Sequence, residues 1–159
     1  MIKEPKQKKE LFLILHNIRS AYNIGSIFRT ADAAGVSKIY LTGITPTPID
    51  RFGRKRADIA KTALGAERTV EWEYTKDVLE LLSILKKKEI YIIAVEQDKE
   101  AVAYTEIPAV FPKAFMFGNE VKGISQEVLR QCNMIAYIPM KGAKESLNVS
   151  VAVGIILFS

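Results

Sequence analysis

The sequence predicts an α/β domain with a mainly parallel sheet and helices on both faces. Continuous apolar runs such as LFLIL at 11–15 and IYIIAV at 90–95 are typical of strands that are buried on both faces. Amphipathic stretches alternate with these runs, which favours βαβ connections and a parallel sheet. With 159 residues, 48% of them apolar, the chain is long enough to bury one substantial core.

The individual elements follow from apolar runs, caps and breakers. Asn23 is a good N-cap and Gly35 a good C-terminal stop for the first helix, while two prolines make 43–56 a loop. Gly65 ends the second helix, and Thr75 is predicted to cap the third. The predicted strands are 11–15, 38–42, 70–74, 90–95, 114–117 and 134–138. The predicted helices are 24–34, 57–64, 75–88 and 125–130.

The terminal run VSVAVGIILF at 149–158 reads as core, although most chains end in solvated residues. Its β-branched content favours a strand, whereas its position after Ser146, Leu147 and Asn148 allows a buried helix. Periodicity alone does not decide between the two.

Composition predicts a cytoplasmic protein that does not enter a membrane. The single cysteine, Cys132, excludes an intrachain disulfide framework and fits a reducing compartment. We expect no signal peptide, because the first ten residues are charged and no apolar segment of suitable length follows. The longest apolar run is far shorter than the roughly 20 residues that span a bilayer.

The net charge of +5 is concentrated in one segment. Between residues 51 and 61, five basic side chains accompany one acidic side chain, which favours contact with RNA over a merely solvated loop. Those five are Arg51, Arg54, Lys55, Arg56 and Lys61. A second basic stretch at residues 3–9 predicts a short N-terminal extension, 1–10, ahead of a single domain at 11–159.

Three polar segments follow predicted strands: 17–29, 118–123 and 139–148. In open α/β sheets ligands bind beyond the carboxyl ends of strands, so we expect these segments to converge on one site.

Several common motifs are absent from the sequence, and their absence excludes some classes of active site. No glycine-rich dinucleotide fingerprint, P-loop or nucleophile elbow occurs. His16 and Cys132 are the only soft metal ligands, so no transition-metal site is expected. Cys132 and His16 could in principle form a nucleophile–base pair. Cys132 is better interpreted as a small packing residue and His16 as a loop hydrogen-bonding group.

The three polar segments closely resemble the signature motifs of the SpoU/TrmH family of S-adenosylmethionine-dependent RNA 2′-O-methyltransferases, within the SPOUT superfamily. The first motif is NIR at 17–19 followed by NIGSIFRTADAAG at 23–35. The second is FGNE at 117–120 with GI at 123–124, and the third is IPM at 138–140 with SLNVSVA at 146–152. The resemblance extends from about Leu11 to the end of the chain.

This resemblance implies an α/β fold whose C-terminal segment forms a deep trefoil knot, with the terminal run as a helix and the protein as a homodimer. It implies S-adenosyl-L-methionine as the cofactor and tRNA or rRNA as the partner. The positions that match cofactor-binding residues are Val95, Gly118, Ile138, Met140 and Leu147. The positions that match catalytic and substrate-side residues are Asn23, Arg29, Glu120, Ser146 and Asn148. Arg19 joins the basic segment as a predicted RNA contact.

The family assigns the Arg29 position to activation of the ribose hydroxyl. A guanidinium stays protonated in proteins, so anchoring phosphate and stabilising a developing alkoxide is the alternative role. Glu120 could orient Arg29 in either case.

Each residue also has a purely structural interpretation. Asn23 and Ser146 could only cap helices, Arg29 could be a solvated helix residue, and 119–123 could be a plain turn. Two rival functions remain open at this point: a non-catalytic RNA-binding module with the same fold, and a methyltransferase that acts on a base rather than a ribose.

Overall fold

A computed structural model describes residues 9–159 of the chain. Its strands form one seven-stranded sheet in which neighbouring strands are all parallel. The order of strands across the sheet is β3-β2-β1-β6-β4-β7-β5. The strands are β1 (Leu11–His16), β2 (Lys38–Thr42), β3 (Trp72–Thr75), β4 (Tyr91–Val95), β5 (Val102–Ala103), β6 (Lys113–Phe117) and β7 (Met134–Tyr137). The predicted mainly parallel sheet is therefore confirmed.

The described residues form six α-helices and one 3-10 turn, Tyr104–Glu106; five of the helices lie between strands, and the sixth follows the last strand. The helices are α1 (Ala21–Ala34), α2 (Ala57–Ala63), α3 (Ala66–Thr69), α4 (Val78–Lys87), α5 (Gln126–Leu129) and α6 (Val149–Leu157). The prediction missed the short elements β5 and α3, which have too few residues to show a periodic pattern.

Side chains of β1 alternate between two apolar layers, which explains its continuous apolar sequence. Leu13 and Leu15 pack with buried residues of α1, α2 and α6 on one face of the sheet. Phe12 and Ile14 pack with buried residues of α4 and α5 on the other. Helices therefore cover both faces of the sheet.

The terminal run forms helix α6, as the family resemblance implied. Its side chains Val149, Val153 and Ile156 are buried in the layer that contains α1. Burying aliphatic side chains of this size stabilises a fold by about 1.5–3 kcal/mol each, so the end of the chain is part of the core.

Two predicted helix caps are wrong. The Ser20 hydroxyl, not Asn23, accepts the capping hydrogen bond of α1, from the backbone N–H of Asn23. Asn23 itself lies inside the first turn and is buried. At α4 the cap is Asp77 rather than Thr75. In both regions several polar residues precede the helix, and backbone geometry decides which of them caps it.

Within residues 9–159 no group of three or more His, Cys, Asp or Glu side chains is arranged to hold a metal ion. None of the helices described there is long and apolar enough to cross a membrane. Most of the predicted basic extension, including Lys3, Lys6 and Lys8, lies outside the described residues.

Candidate active site

A cavity of about 680 Å³ opens at the carboxyl ends of β4, β6 and β7, beside the N-terminus of α6. Parallel strands place the loops that follow them along one edge of the sheet. Nine of the ten predicted catalytic and cofactor-binding residues line this cavity. They are Asn23, Val95, Gly118, Glu120, Ile138, Met140, Ser146, Leu147 and Asn148. The tenth, Arg29, does not line it.

The loop after β6 forms the first wall of the cavity. The Asn119 Oδ1 accepts hydrogen bonds from the backbone N–H groups of Val121 (3.0 Å) and Lys122 (2.9 Å), while its Nδ2 donates to the Asn17 carbonyl at 2.9 Å. The Gly123 N–H closes the turn onto the Asn119 carbonyl at 2.9 Å. These bonds fix the loop and join it to the segment after β1.

Gly118 presents bare backbone to the cavity. A Cβ atom at this position would meet the Ile124 side chain and would lie 2.9 Å from the Gly123 backbone. A larger residue would therefore force Ile124 or the Gly123 backbone to shift, whereas glycine leaves its peptide groups open to a ligand.

Glu120 has a different role from the orientation of Arg29 that the sequence suggested. Its carboxylate accepts hydrogen bonds from the backbone N–H groups of Arg19 (3.1 Å) and Ser20 (3.3 Å), directly before α1. Within residues 9–159 it makes no ion pair with Arg29. A carboxylate is favoured at this place because it meets unpaired donors near a helix N-terminus.

Two further cavity residues, Glu96 and Gln97, were missed by the sequence analysis. They directly follow β4, so the rule that ligands bind beyond strand ends could have identified them. Glu96 Oε2 accepts from the Ile124 N–H at 3.0 Å, which ties β4 to the loop after β6. Gln97 Nε2 donates to the Ile138 carbonyl at 2.9 Å, which ties β4 to the segment after β7.

Another wall of the cavity is formed by the segment between β7 and α6. Asn148 caps α6, its Oδ1 accepting from the Ser150 N–H at 2.9 Å. Its Nδ2 donates to the Oδ1 of Asn23 at 3.3 Å, and so joins α6 to the first turn of α1. Residues 141–148 are all exposed, including Ser146, which makes this wall the more accessible side of the cavity.

His16, the last residue of β1, does not line the cavity and forms hydrogen bonds with Asn17, directly after β1, and with Thr42, the last residue of β2. Asn17 Oδ1 accepts from the Ile44 N–H at 3.0 Å, which leaves the Asn17 amide nitrogen facing His16 Nε2 at 3.2 Å. His16 Nε2 must then be unprotonated, and Nδ1 donates to the Thr42 hydroxyl at 2.8 Å. Burial lowers the pKa of His16, which agrees with a neutral ring. These contacts agree with the interpretation of His16 as a hydrogen-bonding group of the loop region.

Arg29 and the basic segment do not line this cavity. Arg29 is exposed on α1 and borders a shallow depression with Lys61 of α2 and Phe158. Arg54 and Arg56 pair with acidic neighbours, Arg54 with Asp50 at 2.9 Å and Arg56 with Asp58 at 2.7 Å. Arg51 and Lys55 are exposed and make no ion pair among the residues that the structure describes.

The fold and this site together define an α/β protein with a ligand cavity at the carboxyl edge of a parallel sheet. The sequence profile of the SpoU rRNA Methylase family matches residues 10–158. The chain therefore belongs to the SpoU rRNA methylase family.

Relatives and solved structures agree with this assignment. The chain is 31% identical over 153 residues to the tRNA (guanosine(18)-2′-O)-methyltransferase of Aquifex aeolicus, covering 96% of this chain and 69% of the relative. It superposes on the AdoMet-bound rRNA methyltransferase of Sinorhizobium meliloti with a TM-score of 0.85 and 29% identity, covering 96% of this chain and 56% of that one. A third match, from a structural study of 2-OH methylation of C/U34 on tRNA, has a TM-score of 0.80 and 25% identity and covers 94% and 93% of the two chains. The chain thus spans between about half and nearly all of the length of its relatives.

Proposed function

We propose that this protein transfers a methyl group from S-adenosyl-L-methionine to a ribose 2′-hydroxyl of tRNA or rRNA. The observation that carries the proposal is the convergence of nine predicted residues on one cavity. These residues come from segments that are far apart in the chain. Eight of the nine lie in the three motifs that resemble the SpoU/TrmH family, and Val95 ends β4.

The cavity fits the cofactor. Its volume lies within the range of about 300–1,000 Å³ that is usual for small-molecule sites. Gly118 offers backbone on one side, and apolar side chains of Val95, Ile138 and Leu147 offer contact for an aromatic ring system. These residues, with Met140, would hold S-adenosyl-L-methionine, which supplies an activated methyl group on a sulfonium.

The chain's own residues would act by positioning and by stabilising charge. Methyl transfer to a hydroxyl needs the oxygen aligned with the methyl group and its developing negative charge stabilised. Asn23, Ser146 and Asn148 offer amide and hydroxyl groups at the cavity to orient the ribose. Arg29 would anchor phosphate and stabilise the alkoxide, and Glu120 would hold the first turn of α1 in place through the Arg19 and Ser20 N–H groups.

The position of Arg29 outside the cavity supports a homodimer. Three large apolar side chains around the same depression are exposed to solvent: Tyr22 (65%), Leu64 (66%) and Phe158 (64%). We propose that a second copy covers this surface and brings Arg29 of one copy beside the cavity of the other. A helix-lined apolar surface with a central arginine is typical of such contacts.

The dimer proposal has a direct test. Arg29→Ala and a cavity variant, Gly118→Val, are each expected to be inactive alone, and refolding them together is expected to restore about a quarter of wild-type activity. Half of the dimers are then mixed, and each mixed dimer has one complete site. No recovery on mixing, with a dimer confirmed by light scattering, would show that Arg29 acts within its own copy.

The remaining expectations are part of the same proposal. Residues 11–159 would form a single methyltransferase domain whose C-terminal segment threads into a trefoil knot, as the resemblance to SPOUT proteins implies. Arg19, Arg51, Arg54, Lys55, Arg56 and Lys61 would contact RNA phosphates. An RNA-modifying role would place the protein in the cytoplasm.

Incubation with labelled S-adenosyl-L-methionine and unmodified total RNA tests the activity. Digestion to nucleosides and mass spectrometry are expected to yield a 2′-O-methylated nucleoside. A base-methylated nucleoside would instead identify a base methyltransferase. Absence of both transfer and calorimetric cofactor binding would identify an RNA-binding module without catalytic activity.

A further inference from the structure

The loop between β2 and α2 contains an exposed aromatic residue, Phe52, with two arginines beside its ring. Phe52 is 66% exposed, and the guanidinium carbons of Arg51 and Arg54 lie 4.8 and 4.9 Å from its ring centroid. We call residues 50–54 the aromatic tip. A single exposed apolar side chain is ordinary on a protein surface, but one held between two cations is a recurring feature of nucleic-acid-binding surfaces.

Internal hydrogen bonds give the aromatic tip a defined shape. Asp50 Oδ1 accepts from the backbone N–H groups of Phe52 and Arg54, each at 2.9 Å. The backbone closes across the turn, with the Asp50 N–H donating to the Arg54 carbonyl at 2.9 Å, and Gly53 adopts a φ of +76°. The loop therefore holds the Phe52 ring out in solvent instead of folding it onto the core.

The two arginines differ in their freedom to move. Arg54 Nε donates to Asp50 Oδ2 at 2.9 Å, so its guanidinium is tethered beside the ring. Arg51 makes no ion pair within residues 9–159. No ion pair among these residues therefore holds Arg51 beside the ring, and its guanidinium could turn to a phosphate while Phe52 contacts an aromatic ligand.

The base of this loop is tied to the candidate active site. The Asn17 side chain accepts from the Ile44 N–H, and the Asn17 carbonyl accepts from Asn119, a residue that lines the cavity. The loop leaves β2 at its carboxyl end, the same edge of the sheet at which the cavity opens. The loop that carries the aromatic tip therefore begins at the edge of the sheet where the cavity opens.

We propose that Phe52 stacks on an unpaired base of the RNA substrate, with Arg51 and Arg54 contacting the adjoining phosphates. This inference rests on the proposed function, and it narrows the substrate to RNA with a single-stranded segment near the methylated nucleotide. A stacked base in a duplex is not accessible to the ring, whereas a loop or end presents its face. The positive flanking side chains match the charge of an RNA backbone.

Binding measurements on Phe52→Ala test the inference. The probe is an RNA oligonucleotide of about 12 unpaired nucleotides, compared with a duplex of the same length. Phe52→Ala is expected to raise the Kd for the single strand roughly 5- to 100-fold and to leave the duplex Kd unchanged, since stacking on an aromatic side chain contributes about that much per base. Phe52→Trp is expected to bind as tightly as wild type or more tightly.

Ile44→Ala is the matched control, because Ile44 is also 66% exposed and lies in the same loop but has no aromatic ring. It is expected to bind the single strand like wild type. Phe52→Ala that binds the single strand like wild type would overturn the inference. An equal loss of affinity for single strand and duplex would also overturn it. A loss of affinity that accompanies dissociation of a dimer in light scattering would overturn it as well, since Phe52 would then contact a second copy.

Methyl transfer separates this inference from the proposed function. If the wild type transfers no methyl group to any RNA, the proposed function fails whatever Phe52 does. If the wild type transfers methyl groups and Phe52→Ala does so with unchanged KM, the function stands and the stacking proposal fails. The expected result is a raised KM for RNA, with kcat and cofactor affinity close to those of wild type.

Discussion

The cavity and the surface around Arg29 differ in how their polar groups are satisfied. At the cavity, Glu96, Asn119, Glu120 and Asn148 all form hydrogen bonds to other parts of the same chain. The Arg29 guanidinium forms no ion pair with any described residue, and large apolar side chains are exposed beside Arg29. The first region is assembled within one chain, whereas the second is the surface that a second copy would cover in the proposed dimer.

This difference predicts how variants will behave. Changes in the cavity should affect cofactor binding and, where they break tying hydrogen bonds, stability as well. Changes at Arg29 should affect transfer alone, because no internal contact of the described residues depends on that guanidinium.

Replacing Arg29 with alanine is expected to give the largest effect. Transfer should fall by about 10²- to 10³-fold, the usual cost of removing one group that stabilises developing charge. The Kd for S-adenosyl-L-methionine, measured by calorimetry, should stay within about twofold, because binding reports on the cavity alone. Transfer at the wild-type rate would show that Arg29 is not catalytic.

Gly118→Ala is expected to weaken cofactor binding by about tenfold or more. The added methyl group would collide with Ile124 and the Gly123 backbone, and the wall of the cavity must shift to accommodate it. Gly142→Ala is a matched control, since a Cβ there meets no atom within 4 Å among the described residues. Equal calorimetric Kd values for the two variants would contradict the proposed cofactor site.

Asn148→Ser separates the capping and site roles of Asn148. Serine retains a capping oxygen for the Ser150 N–H but lacks the amide that donates to Asn23. Transfer should therefore fall about tenfold, as expected for loss of one positioning hydrogen bond, while the Tm stays within a few degrees. Asn148→Ala should lower the free energy of unfolding by a further ~1 kcal/mol. Transfer by the serine variant at the wild-type rate would assign Asn148 to helix capping only.

The smallest effect concerns His16, the single histidine of the chain. Its pKa is lowered by burial from 6.5, so the unfolded state takes up the proton first as the pH falls. The contribution to stability is then complete above pH 6.5 and is lost as the pH falls through the folded-state value. An NMR titration of the ring proton should give a midpoint below 6.5. A midpoint at or above 6.5 would mean that His16 is not buried in solution as it is in the structure.

Much of the site could be predicted because its residues occur in contiguous motifs at strand ends. Gly118 and Glu120 follow a short apolar strand, and Ser146, Leu147 and Asn148 precede a long apolar run. Glu96 and Gln97 follow a strand in the same way but lack a distinctive motif, so their sequence does not single them out. Phe52 lies in a segment whose charge is its most evident feature, and charge alone does not indicate a stacking residue.

The sequence by itself determined six of the seven strands, the parallel sheet and the family, because these depend on local apolar patterns and short motifs. The apolar pattern left the terminal run open between strand and helix. The tertiary structure forms the helix that the family resemblance implied, since burial against α1 and the sheet outweighs the β-propensity of its valines and isoleucines. It also decided that Ser20 rather than Asn23 caps α1, and that Glu120 binds backbone N–H groups rather than Arg29. Each of these outcomes depends on the three-dimensional path of the backbone and on contacts across the fold, which a local pattern does not contain.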